Sequence, residues 1–220
     1  MPTSYAILSH RWGEEVSYKE MIGLMKMEEE EREEIKQRHG YQNIIKSCEQ
    51  AGKDGYKWLW IDTCCIDKRS SSELSEAINS MYRWYQNARV CYAYLHDVGE
   101  STIPTEQDDK FSKSNGWPEW FVRGWTLQEL IALEEVKFFN KGWVPLGHKR
   151  HLASRLNHIT GIPCEVLTDG RARQDLSVAQ IMSWAARRKT TRDQSIFAWK
   201  PRMPQTGSVL GRGSERLWGL

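Results

Sequence analysis

The 220-residue sequence has no apolar run near the roughly 18 residues that a membrane-spanning helix needs, which excludes a helical membrane protein by this criterion. Its first residues, "MPTSYAILSHRWGEE", lack the basic stretch and apolar core of a secretion signal, so a cytoplasmic location is expected. Excess charge of either sign is also missing: 31 Lys and Arg face 29 Asp and Glu, a formal +2. No global field therefore recruits nucleic acid or an anionic membrane. Cysteine is sparse, with five residues at 48, 64, 65, 91 and 164 and no C-x2-C pair. Adjacent Cys64 and Cys65 point to opposite faces if extended and do not easily grip one ion, so reduced, buried thiols and no metal site are expected. Neither G-x-G-x-x-G nor G-x-x-x-x-G-K-[ST] occurs, which removes the common glycine-rich phosphate cradles, and no cofactor is expected.

What is present is a 40% hydrophobic chain with eleven tryptophans, enough to fill one well-packed core. Four short apolar runs without alternation, "YAILS" (5–9), "KWLWI" (57–61), "VCYAYL" (90–95) and "VKFF" (136–139), have the pattern of strands covered on both faces. Helical patterns separate them. Ser17 with Glu20 and Ser70 with Glu73 form capping-box signatures, and Leu74, Ile78, Met81, Tyr82 and Tyr85 fall on one helical stripe. The first acidic helix is expected to stop at Gly40 and a second to carry Ile44, Ile45 and Cys48 as far as Gly52. Residues 99–119 read as a long polar insertion or flap. "WFVRGWTLQELIALEEV" reads as one helix leading into the fourth strand, and further helices are expected over 148–158 and 177–189. Strands alternating with helices predict an α/β fold with an open, largely parallel sheet.

In such sheets ligands bind beyond the carboxyl ends of the strands, here "SHRWG" (9–13), "DTCCID" (62–67) and "HDV" (96–98). Arg11 suits a bidentate phosphate contact and Trp12 suits stacking on a base, while Asp62 suits ribose hydroxyls. Each has a structural alternative: Arg11 paired with Asp62 or Glu129, Trp12 packed under the sheet, Asp62 capping its own turn. Ser9 and His10 face opposite ways on a strand and do not make a catalytic pair. Glu129 lies off the apolar stripe of its helix and is the candidate carboxylate, the alternative being a helix-surface glutamate or a partner for Arg123. Arg123 supplies positive charge to the same rim or fixes the insertion.

The stretches "YAILSHRWG", "WLWIDTCCIDKRSSSELSEAINSMYRWYQNARVCYAYLHDV", "RGWTLQELIA" and "ITGIPCEVL", in this order, resemble the fungal heterokaryon-incompatibility (HET) domain, in particular the subgroup that precedes a nucleotide-binding module and WD-type repeats. The likeness runs from about Tyr5 to Arg192, giving a HET domain over 1–192 and an irregular, Gly- and Pro-rich tail over 193–220 expected to be disordered. Such a domain implies non-self recognition between fungal strains followed by programmed cell death. A distant relationship to TIR domains further implies a flavodoxin-like sheet. Some TIR domains cleave NAD+ between nicotinamide and ribose through one glutamate, and others only assemble. The resemblance thus offers two functions. One is a NAD+ glycohydrolase with Glu129 catalytic, NAD+ as substrate and Arg11, Trp12, Asp62 and Arg123 binding it. The other is a non-catalytic module that self-associates or docks with other incompatibility or NLR-type proteins.

One departure stands out. In resembling proteins "KTTR" is followed by an acidic, leucine-rich segment, whereas here Arg192 joins directly to "DQSIFAW". That junction leaves a truncated, inert relic as a third reading, and the sequence is expected to be an isolated effector-like domain.

Overall fold

The computed structural model describes residues 4–169, 176–189 and 218–219. The fold is α/β, with an open, mostly parallel sheet flanked by helices. By its internal contacts the chain divides into two compact units, the first comprising residues 1–8, 12–81 and 209–220 and the second 9–11 and 82–208.

In the first unit, β1 (Ala6–Ser9) and β2 (Trp58–Ile61) pair in parallel, Ala6 opposite Leu59 and Leu8 opposite Ile61. Ala6, Ile7, Leu8, Leu59 and Ile61 are all fully buried, which is why neither run alternates in polarity. Of the C-terminal stretch 193–220, only Trp218–Gly219 falls within the described residues; it forms β6, antiparallel to β2. The expected Ser17–Glu20 capping box starts α1 (Tyr18–Gly23), with both reciprocal hydrogen bonds made.

The acidic helix does not run on to Gly40. A 3₁₀ turn (Leu24–Lys26) follows α1, then α2 (Glu29–Gln37), and Arg38 turns extended at ψ 141° before α3 (His39–Lys53) begins. Gly40 therefore lies in the first turn of α3. Its missing side chain has a packing reason: a Cβ there would sit 2.6 Å from the Glu14 carbonyl oxygen and 2.7 Å from Glu15 Cα. Backbone atoms cannot yield as a flexible side chain does, so Gly40→Ala is expected to destabilise by about 1–3 kcal/mol despite alanine's better helix propensity. A urea-denaturation midpoint checks this; a midpoint at or above wild type contradicts it.

Helix α4 (Ser71–Asn87) is capped by Ser70, whose Oγ accepts from Glu73 N at 3.3 Å, while Glu73 Oε1 accepts from Asp67 N at 2.8 Å. Its expected stripe is buried or half-buried, widened by Ala77 and Trp84.

In the second unit, β3 (Val90–Tyr94) and β4 (Val136–Phe139) are parallel, and β5 (Pro145–His148) returns antiparallel to β4 with a register shift at Phe138/Phe139. The expected helix at 148 starts later, because His148 ends β5 and α7 covers Ala153–Thr160. Helix α8 (Cys164–Thr168) follows, and α9 (Val178–Ala185) starts from a Ser177–Gln180 capping box. The polar connection after β3 is pinned down by buried Ile103, Phe111 and Trp117 and contains a 3₁₀ segment (Asp109–Ser114). It behaves as a packed insertion.

The single helix expected over 120–136 is two: α5 (Glu119–Val122) and α6 (Trp125–Ala132), split where Arg123 is extended at ψ 140°. Thr126 locks the corner, its Oγ1 donating to the Trp120 carbonyl at 2.5 Å and the Arg123 carbonyl at 2.9 Å. Trp120 is the centre of this unit, fully buried and meeting Phe138 edge-on at 5.5 Å. Lys149 is buried too and donates its Nζ to the carbonyls of Leu130 and Leu133 at the end of α6. A cation there satisfies orphan carbonyls and suits the negative pole of the helix.

All five cysteines are thiols. Cys64, Cys65 and Cys91 are fully buried, and burial pushes the Cys48 thiol up to about 11. Because the thiolate is the reactive form, a thiol reagent at pH 8 is expected to label Cys64, Cys65 and Cys91 only after denaturation. Labelling of these three in the native protein, read by peptide mass spectrometry, would contradict the packing.

Candidate functional site

Glu129 sits on α6, and that helix is enclosed: Thr126 through Ile131 are all buried. The glutamate is 9% exposed, far from the helix-surface residue that its position off the stripe suggested. Its Oε2 accepts from the hydroxyl of Ser9, the last residue of β1, and the same hydroxyl accepts from Trp120 Nε1 at 2.7 Å. Ser9 is thus fixed as a relay between an indole and a carboxylate. Arg188 acts on this group electrostatically. Arg188, 8% exposed, feels Glu129, though burial dominates and pushes its guanidinium down to about 9. Lys149 and Glu129 both act on Cys91, whose thiol burial raises well above its usual range. A carboxylate held by a hydroxyl in a largely dry setting can stabilise a developing cation without reorganising water; positive charge nearby favours its ionised form but opposes that cation.

Beside Ser9 in sequence, Arg11 turns outward. It pairs with neither Asp62 nor Glu129; its Nε donates to Glu119 Oε1 at 2.7 Å. His96 Nε2 lies 3.6 Å from Glu119 Oε2, and Asp97 Oδ2 accepts from Glu119 N at 2.7 Å, capping α5. Arg123 contributes chiefly through its backbone, with its carbonyl accepting from Arg188 Nη1 at 3.1 Å. All of these residues belong to the second unit.

Trp12 and Asp62 belong to the first. Trp12 is 46% exposed and not packed under the sheet; its Nε1 donates to Asp62 Oδ2 at 2.9 Å. Lys68 Nζ stands 3.6 Å from the Trp12 ring centroid, and burial lowers the Lys68 ammonium against the pull of Asp62 and Glu15. Asp67 clamps its own loop by accepting from Arg69 Nε at 2.8 Å and Nη2 at 2.7 Å. Ser9, Arg11, Arg123 and Glu129 thus belong to one unit, and Trp12 with Asp62 to the other.

Sequence reasoning missed Trp120, Glu119, His96 and Arg188 as neighbours of these residues. Arg188 lies in a basic run, Arg187 to Lys189, at the end of the helix expected over 177–189, and such a run reads the same whether its arginine is solvated or buried. Among the described residues no three His, Cys, Asp or Glu side chains converge to hold a metal ion, and no helix is long and apolar enough to cross a membrane.

No solved structure matches the chain. Residues 5–117, more than half of it, match the family model described as heterokaryon incompatibility protein (HET). That stretch contains Ser9, Arg11, Trp12 and Asp62; Arg123 and Glu129 lie beyond it. Over 195 residues, 87% of the chain, the sequence is 44% identical to the vegetative incompatibility protein HET-E-1 of Podospora anserina, of whose length this spans 14%. The chain belongs to the heterokaryon-incompatibility (HET) family.

Proposed function

We propose that this protein acts in fungal heterokaryon incompatibility as a cytoplasmic effector whose activation ends in programmed cell death, and that it does so by cleaving NAD+ at the nicotinamide–ribose bond. The reading rests most directly on Glu129, a nearly buried carboxylate accepting from Ser9 at the end of β1. In NAD+ the nicotinamide already carries positive charge and leaves with the bonding electron pair, so acid catalysis is not needed. Positive charge then develops at the ribose C1′, where Glu129 stabilises it; water adds to C1′ and loses a proton. Arg11 serves a phosphate, exchanging its salt bridge with Glu119 for the ligand. Within the first unit, Trp12 and Asp62 form a hydrogen-bonded pair with the chemistry to stack on a base and to accept from a ribose hydroxyl. Family membership and the resemblance to HET-E-1 support the biological role.

Expression in a fungal host tests the link between chemistry and biology. Wild-type protein is expected to arrest growth and deplete cellular NAD+, and Glu129→Gln at equal abundance to do neither. Killing retained by Glu129→Gln would favour a non-catalytic assembly module instead.

A further inference from the structure

The second unit carries a cleft of about 530 Å³ that Glu129 does not line. Its size lies within the range of small-ligand sites, about 300–1,000 Å³. Trp117, Phe121, His158 and Trp184 supply aromatic wall, and Arg187 and Arg188 supply charge. Glu106 is the one carboxylate of the lining, so cations outnumber it.

Arg188 carries the inference. Its Nη1 donates to Thr126 Oγ1 at 2.8 Å and to the Arg123 carbonyl at 3.1 Å. Its Nη2 has no hydrogen-bond partner among the described residues, and the charge that acts on the guanidinium is that of Glu129, which does not line the cleft. A guanidinium more than nine-tenths buried is costly, and a bound anion relieves that cost. Aromatic walls beside a cation select a flat ring that bears the negative group.

We propose that this cleft binds a planar aromatic anion, a ring carrying a carboxylate or phosphate, packed against Trp117 and Trp184 with its charge countering Arg188. Glu129 does not line this cleft, and the proposal does not depend on NAD+ cleavage, although Arg188 feels the Glu129 charge.

Isothermal titration calorimetry on the full chain tests it, with AMP and indole-3-carboxylate as probes and adenosine and indole-3-carboxamide as their uncharged counterparts. At least one anion is expected to bind at a single site, about tenfold or more tighter than its neutral counterpart. AMP alone points to a phosphate-bearing ligand and indole-3-carboxylate alone to a carboxylate. Arg188→Met is expected to weaken binding about tenfold or more, and His158→Trp, which fills the cleft and leaves Arg188 in place, to do the same. Should Arg188→Met fail to fold, His158→Trp decides. Glu129→Gln, which removes the negative charge that Arg188 feels, is expected to bind the anion at least as tightly as wild type, whereas it abolishes the proposed cleavage. Absence of binding by both anions, equal binding of the neutral compounds, or undiminished binding by His158→Trp would overturn the proposal.

Discussion

Glu129→Gln is expected to lower nicotinamide release from NAD+ by at least about 100-fold, with little change in stability. The substitution keeps the side-chain length, and the amide oxygen can still accept from the Ser9 hydroxyl, so the packing around α6 survives. What it removes is the negative charge that would face the developing ribose cation. In a largely dry setting such a charge acts almost unscreened, and removing one preorganised electrostatic group costs about 10²–10³ in rate. Steady-state kinetics with far-ultraviolet circular dichroism as a folding control checks this. A loss below tenfold in a folded variant would strip Glu129 of its catalytic role.

The second large effect is on stability. Trp120 is fully buried, packs edge-on against Phe121 at 5.2 Å and Phe138 at 5.5 Å, and donates its indole hydrogen to Ser9. Trp120→Ala is expected to cost about 3–5 kcal/mol, a large part of the about 5–15 kcal/mol that holds a typical domain together. Trp120→Phe keeps most of the ring and loses the hydrogen bond to Ser9, so it is expected to cost clearly less while loosening the hydroxyl that positions Glu129. Urea denaturation of both variants, with unchanged slope, separates the packing loss from the hydrogen-bond loss. Equal midpoints for the alanine and phenylalanine variants would show that the ring is not the centre of this core.

The four central strands were legible because each is buried on both faces, so composition alone announces it: Ala6 to Leu8, Leu59 to Ile61 and Val90 to Ala93 have next to no exposed surface. The capping hydroxyls of Ser17 and Ser70 were legible because a serine followed three residues later by Glu satisfies an orphan amide by a purely local bond. Strand β5 was not, since "PLGH" has low strand propensity and Gly147 adopts φ +132°, a conformation glycine alone takes easily. Nor were the breaks at Arg38 and Arg123 visible, because an arginine turns extended only when the next helix must leave in a new direction. Gly40 misled for the same reason: glycine marks helix ends and close approaches equally well, and here Glu14 and Glu15 decide.

Glu129 was singled out by its separation from an apolar stripe, but its burial was not foreseen, because periodicity assumes one solvated face and α6 has none over its middle. Arg11 and Asp62 were expected as possible partners, yet Arg11 holds Glu119 and Asp62 holds Trp12. Such pairings join residues 108 and 50 positions apart, beyond the reach of any local pattern.

The most direct measurement is nicotinamide release by the purified 220-residue protein incubated with NAD+ at high protein concentration, resolved by liquid chromatography. Stoichiometric nicotinamide and ADP-ribose, formed over repeated turnovers, is the predicted result. Intact NAD+ in the presence of folded, crowded protein would contradict the account.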